Sequence, residues 1–209
     1  YMAYTALSAK GKDALPALAK LAKESDNPRV KARALWLAGK VEGNGAAVVA
    51  ETIKDANPDI RILGIRLARQ LGQDVGTLKS LAGDAAPEVR RELCIALRHN
   101  KSAVAAAIWA DLAQKHDGKD RWYLEALGIA ADKQWDAFLD TWLAKAGESW
   151  NTPAGRDIVW RSRAKKSPSL LAKIVKDPKT DEKELPRYMR AFDFLSGPEK
   201  EAALKSLTE

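Results

Sequence analysis

Cysteine and histidine are almost absent: one cysteine, Cys94, and two histidines, His99 and His116, occur in 209 residues. A lone cysteine makes no intrachain disulfide, so it leaves the redox compartment open. Cys94 and His99 fall about one helical turn apart, but no further ligand type completes a metal-binding spacing, and no metal ligand is assigned. Cys-x-x-Cys, the Cys-x-x-Cys-His haem-attachment motif, a phosphate loop and Gly-x-Gly-x-x-Gly are all missing, so no cofactor is expected. No apolar run approaches the roughly 18 residues that a spanning helix needs, and no basic-then-apolar signal segment opens the chain. A membrane partner is therefore not expected. The text begins at Tyr1 in the middle of a helical pattern with no cap before it, which reads as a piece cut from a longer chain.

The composition, 46% hydrophobic and 30% charged, suits a chain that buries a core, and disorder is not expected. Formal charge is +7, with 16 basic and 11 acidic residues in 1–100 against 19 and 17 in 101–209. The excess is mild and dispersed, whereas a nucleic-acid binder concentrates it on one face.

Three stretches are variants of one phrase: NPRVKARALWLAGKV from Asn27, NPDIRILGIRLARQL from Asn57 and APEVRRELCIALRHN from Ala86. Each places a proline (Pro28, Pro58, Pro87) where a first helical turn loses no hydrogen bond. Apolar residues then follow at helical spacing: Val30, Ala34, Leu37; Ile60, Gly64, Leu67; Val89, Leu93, Leu97. Asn27 and Asn57 are suited to cap these helices. Amphipathic segments such as 44–55 and 74–84 lie between the phrases, so two helices recur about every thirty residues. The register continues less regularly through 118–131 and 152–164, where the insertion KAGESWNT lengthens one interval. It ends in SPSLLAKIVKD, ELPRYMRAFDFL and a closing helix, PEKEAALKSLTE. Nothing shows the strict alternation of a strand.

The expectation is an all-α chain forming a single domain over 1–209, regular over 13–100 and irregular over 101–209. The phrase resembles the HEAT repeat of the armadillo-type fold, in which a proline opens the second helix and a basic residue follows it. That resemblance implies a right-handed α-α superhelix of about six helix pairs.

Two columns carry the candidate residues. Lys31, Arg61, Arg90, Arg121 and Arg156 recur on the second helices, and Asp26, Asp55, Asp84 and Asp117 precede the first four of those helices. A basic stripe could hold phosphate, but acids recurring in phase favour a ladder of salt bridges and carbonyl hydrogen bonds, as the HEAT resemblance also implies. Six of the seven tryptophans fall between 109 and 160. Trp109, Trp135 and Trp142 sit in first-helix patterns and are expected to fill the core. For Trp150 and Trp160 core filling and partner stacking stay equally open. KDRWYLEAL (119–127), the stretch around Trp160 and PRYMRAFDF (186–194) share arginines and aromatics at one register position. Trp122, Tyr123, Trp150, Asp157, Trp160, Arg161, Arg187 and Tyr188 are thus the candidate partner-binding residues. Glu125, Asp157 and Asp193 fall in the same region, but carboxylates occur by chance in any helical array, and no catalytic residue is assigned.

DGKDRWYLEALGIAA, WNTPAGRDIVWRSRA and RYMRAFDF are similar to the helical-repeat segment of large planctomycete-type bacterial proteins. Those join a sugar-dehydrogenase-like propeller, HEAT repeats and a c-type cytochrome domain. The resemblance implies an exported or periplasmic oxidoreductase as the parent and a non-catalytic connector here, its partner a protein or neighbouring domain. The competing expectation is a nucleic-acid groove like that of HEAT-like DNA glycosylases, although no motif here reproduces theirs. The whole repeat reading predicts a far-ultraviolet circular dichroism spectrum of helix alone, and a substantial β component would overturn it.

Overall fold

Proline sets the helix starts. In the computed structural model, which describes residues 2–209, Pro28, Pro58, Pro87 and Pro153 are each the first residue of a helix, where the missing N–H has no intrahelical acceptor to lose. Asn27 and Asn57 cap two of these helices, their side-chain oxygens accepting from the amides of Arg29 and Asp59 at 3.0 and 2.9 Å.

Thirteen α-helices and no strand are found among the described residues. They are α1 (Met2–Ala9), α2 (Leu15–Glu24), α3 (Pro28–Lys40), α4 (Gly45–Thr52), α5 (Pro58–Gln70), α6 (Pro87–Leu97), α7 (Ala103–Ala113), α8 (Arg121–Ala130), α9 (Trp135–Ala146), α10 (Pro153–Arg161), α11 (Ser167–Lys176), α12 (Leu185–Ala191) and α13 (Pro198–Ser206). The chain divides into two compact units, 1–96 and 97–209.

In the first unit α2 packs on α3, and α4 packs on both α3 and α5. Gly64 permits the α4–α5 approach, because a β-carbon there would lie 2.5 Å from the Thr52 hydroxyl. The segment 75–83, expected to be an α-helix, is instead a 3₁₀-helix. Val75, Leu78 and Leu81 are buried at intervals of three, the period at which a 3₁₀-helix aligns its side chains. In the second unit α7 packs on both α8 and α9, α10 on both α8 and α12, and α11 on α10, α12 and α13. Trp109, Trp135 and Trp142 are buried core residues. Trp109 meets Trp135 edge-on at 5.9 Å, and its indole N–H donates to the Leu127 carbonyl at 3.0 Å.

The basic column joins successive loops. Arg61 donates through Nε and Nη2 to the two carboxylate oxygens of Asp84 (2.7 and 2.8 Å), and through Nη1 to the carbonyls of Asp55 and Ala56. Lys31 reaches Asp55 at 3.0 Å. Arg90 donates to the carbonyls of Asp84 and Ala85. Arg156 donates to Asn151, Thr180 and Asp177. Arg121 departs from the expected ladder: its side chain is 77% exposed and, among the described residues, pairs with Glu125, one turn along its own helix. The following loop carries the lengthened insertion, which forms a 3₁₀ turn at Gly147–Asn151 and supplies no aspartate.

Burial alone would raise the carboxyl of Asp84, but hydrogen bonds from Arg61 and the Ala86 amide, with the charges of Arg61 and Arg90, hold it below the ordinary aspartate range. A depressed folded-state value contributes stability that is complete above the unfolded aspartate pKa of about 4 and is lost as pH falls through the folded value. Arg61→Ala should therefore lower stability by about 1 to 3 kcal/mol at neutral pH, where Asp84 would lose its partner. The deficit should shrink in acid. Thermal melts of both proteins across an acid series measure this, and coincident transitions at neutral pH would count against the bridge.

Candidate functional site

Helices α8, α10 and α12 lie side by side in the second unit and bring three sequence-distant clusters together. Two of them are positioned by a side-chain cap: Asp120 accepts from the Tyr123 amide at 3.0 Å to begin α8, and Thr152 accepts from the Gly155 amide to begin α10. At the end of α10, Arg163 donates to the carbonyls of Trp160, Arg161 and Ser162, groups that a helix C-terminus leaves without partners.

Glu125 on α8 accepts from Arg161 on α10 at 3.0 Å and is approached by Arg121 at 3.5 Å. The Arg161 guanidinium crosses directly over Gly128, where a β-carbon would stand 2.5 Å from its central carbon. Any side chain there would force the guanidinium to shift. Arg187 of α12 donates to Asp157 of α10 at 2.6 Å and lies over the Trp160 ring, 4.5 Å from its centroid. The second oxygen of Asp157 faces Nε2 of His116 at 3.1 Å. A carboxylate only accepts, so Nε2 carries the proton. The His116 ring is buried and stacked parallel to Tyr123.

Burial would raise the carboxyl of Asp157, but the hydrogen bonds from His116 and Arg187 outweigh it and hold the group ionised below its usual range. At Nδ1, His116 has no hydrogen-bond partner among the described residues. Its pairing with Asp157 had no sequence signal, because the two are 41 residues apart with ordinary neighbours. An open cleft of about 580 Å³ lies beside this pair, with Asp117, Asp157, Lys179, Glu184 and Arg187 among its walls.

The candidate residues separate into three groups. Trp122 is 75% exposed, while Trp160, Arg161, Asp157 and Arg187 form the partly exposed seam between helices. Tyr123 and Tyr188, expected on the partner face, are core residues with 2% and 4% exposure. The Tyr123 hydroxyl donates to the Leu112 carbonyl at 2.9 Å, so it closes the α7–α8 contact and presents no surface. Trp150 lies away from the seam, on a groove bordered by α11 and α13. Asp193 stays exposed in the 3₁₀ turn after α12. Cys94 is sealed in the core, where burial pushes its thiol pKa up, whereas His99 is at the surface beside Asp132. No cluster of three or more potential metal ligands occurs among the described residues. Compared with known proteins, the chain matches no family model, no curated protein and no solved structure.

Asp157→Asn tests the seam. It keeps the shape but removes the charge facing Arg187, so we expect a loss of about 1 to 3 kcal/mol at neutral pH. The depressed carboxyl stabilises above the unfolded pKa of about 4, so wild type and variant should converge in acid. Coincident melting temperatures at neutral pH would argue that Asp157 acts through shape alone.

Proposed function

We propose that the chain is a non-catalytic helical-repeat scaffold of HEAT-like solenoid type, and that the α8–α10–α12 face binds a protein or a neighbouring domain. The observation carrying this reading is that the arginines of the seam are already engaged by carboxylates: Arg121 and Arg161 by Glu125, Arg187 by Asp157 and Glu184. A polyanion would have to displace those acids or sit beside them, whereas mixed charge around an indole is what a protein face presents. Trp122 supplies the indole, a residue type that commonly dominates such interfaces. The setting within a larger dehydrogenase- or cytochrome-type protein rests on the sequence resemblance alone.

Trp122 projects from the fold, so Trp122→Ala should leave the melting transition unchanged. It should weaken binding to the adjoining domains of the full-length protein by about thirtyfold, the equivalent of roughly 2 kcal/mol. Calorimetric titration of the separately expressed domains gives the first measurement, and oligonucleotide binding across a salt series gives the second. Oligonucleotide affinity that falls steeply with salt and is lost in Trp122→Ala would replace the scaffold by a nucleic-acid groove.

A further inference from the structure

A second surface, distinct from the α8–α10–α12 face, lies along α11 and α13. It is an open groove of about 900 Å³. Its floor is built from Ala172 of α11, Ala202 and Ala203 of α13, and the half-buried Trp150 at one end. One wall is a line of lysines: Lys165 and Lys166 at the start of α11, then Lys173 and Lys176 on the same helix. Lys166, Lys173 and Lys176 follow a spacing of seven then three, which keeps them on one exposed stripe while Leu170, Leu171 and Ile174 face the core.

Three of the four lysines of this wall, Lys165, Lys173 and Lys176, are without an ion pair among the described residues, unlike the arginines of the seam. The Lys166–Asp140 pair at 2.8 Å is solvent-exposed on both sides, hence weak and easily exchanged. Of the two acids on the groove, Asp177 is engaged by Arg156, which leaves Glu199. The groove is therefore a cationic wall over an alkyl and indole floor.

We propose that this groove binds an acidic amphipathic segment of a partner protein, with apolar side chains against Ala172, Ala203 and Trp150 and glutamates or aspartates against the lysines. Charge complementarity selects the acid. The floor selects the class of partner: small alkyl side chains let another chain approach closely and desolvate an apolar stripe, whereas a phosphodiester backbone brings no apolar stripe to bury there. A single tryptophan also offers no succession of rings on which consecutive bases could stack.

Fluorescence polarisation of the whole chain with a labelled amphipathic peptide, leucine on one face and glutamate on the other, tests this. Controls are the same peptide with lysine for glutamate, a scrambled peptide of identical composition, and a labelled oligothymidylate. The glutamate peptide should bind best, and the triple variant Lys166→Glu, Lys173→Glu, Lys176→Glu should weaken it by at least about tenfold. Ala202→Glu, an exposed change on the floor, should weaken it as well, while Trp122→Ala should not, which separates this groove from the seam. All these positions are exposed, and circular dichroism checks each fold. Equal binding of the scrambled peptide, indifference to the triple variant, or tighter oligothymidylate binding that the triple variant abolishes would each overturn the proposal.

Discussion

One guanidinium joining two consecutive loops is the interaction on which the first unit's repeat depends. Arg61 spends one arm of its fork on the carbonyls of the loop that precedes its own helix and the other on Asp84 in the next loop. Loop carbonyls and a loop carboxylate in this partly buried position need donors. Arginine supplies them at a fixed angle, and Lys31, a point charge, makes a single bond to Asp55 with both partners more exposed. Asp84 uses its other bonding capacity on the Ala86 amide just before α6. Each loop aspartate thus terminates one contact and orders the start of the next helix, so repeat spacing and helix start are set together.

The same device persists in the second unit with different partners. Arg156 again grips its own preceding loop, through Asn151, and the following one, through Asp177 and Thr180. Arg121 cannot do this, because the next loop has become the 3₁₀ turn at Gly147–Asn151. Its neighbour Glu125 instead takes Arg161 from α10. The insertion therefore removes a bridge between loops and leaves one between helices, and that second bridge forms the seam.

Helix content, the proline starts, the asparagine caps and the buried Trp109, Trp135 and Trp142 were legible in the sequence because each depends on local chemistry or on periodicity. Two kinds of information were not. The 3₁₀ segment at 75–83 has a repeat of three that a short window does not separate from 3.6, and only the buried set decides between them. Side-chain direction within an aromatic cluster was also hidden. Trp122 and Tyr123 are adjacent, yet one residue of helix is about 100° of rotation, enough to put one indole in water and one phenol in the core. The composition of RWYLEAL marks the cluster without saying which ring is outside. Trp150 and Trp160 likewise share a short stretch but belong to different surfaces, since the start of α10 lies between them.

A basic sequence is not the same as a basic surface, and here the two kinds of cation divide the work. Arg61, Arg156, Arg161 and Arg187 are all turned to carboxylates within the fold, with side chains 34% exposed or less. Their charge is largely neutralised at short range, and a partner meets pairs rather than free cations there. Lys165, Lys173 and Lys176 are exposed, each holding its ammonium group in solvent on a flexible stem. These three lysines on the α11 side make no ion pair among the described residues, whereas Arg161 and Arg187 along the seam are already paired with carboxylates.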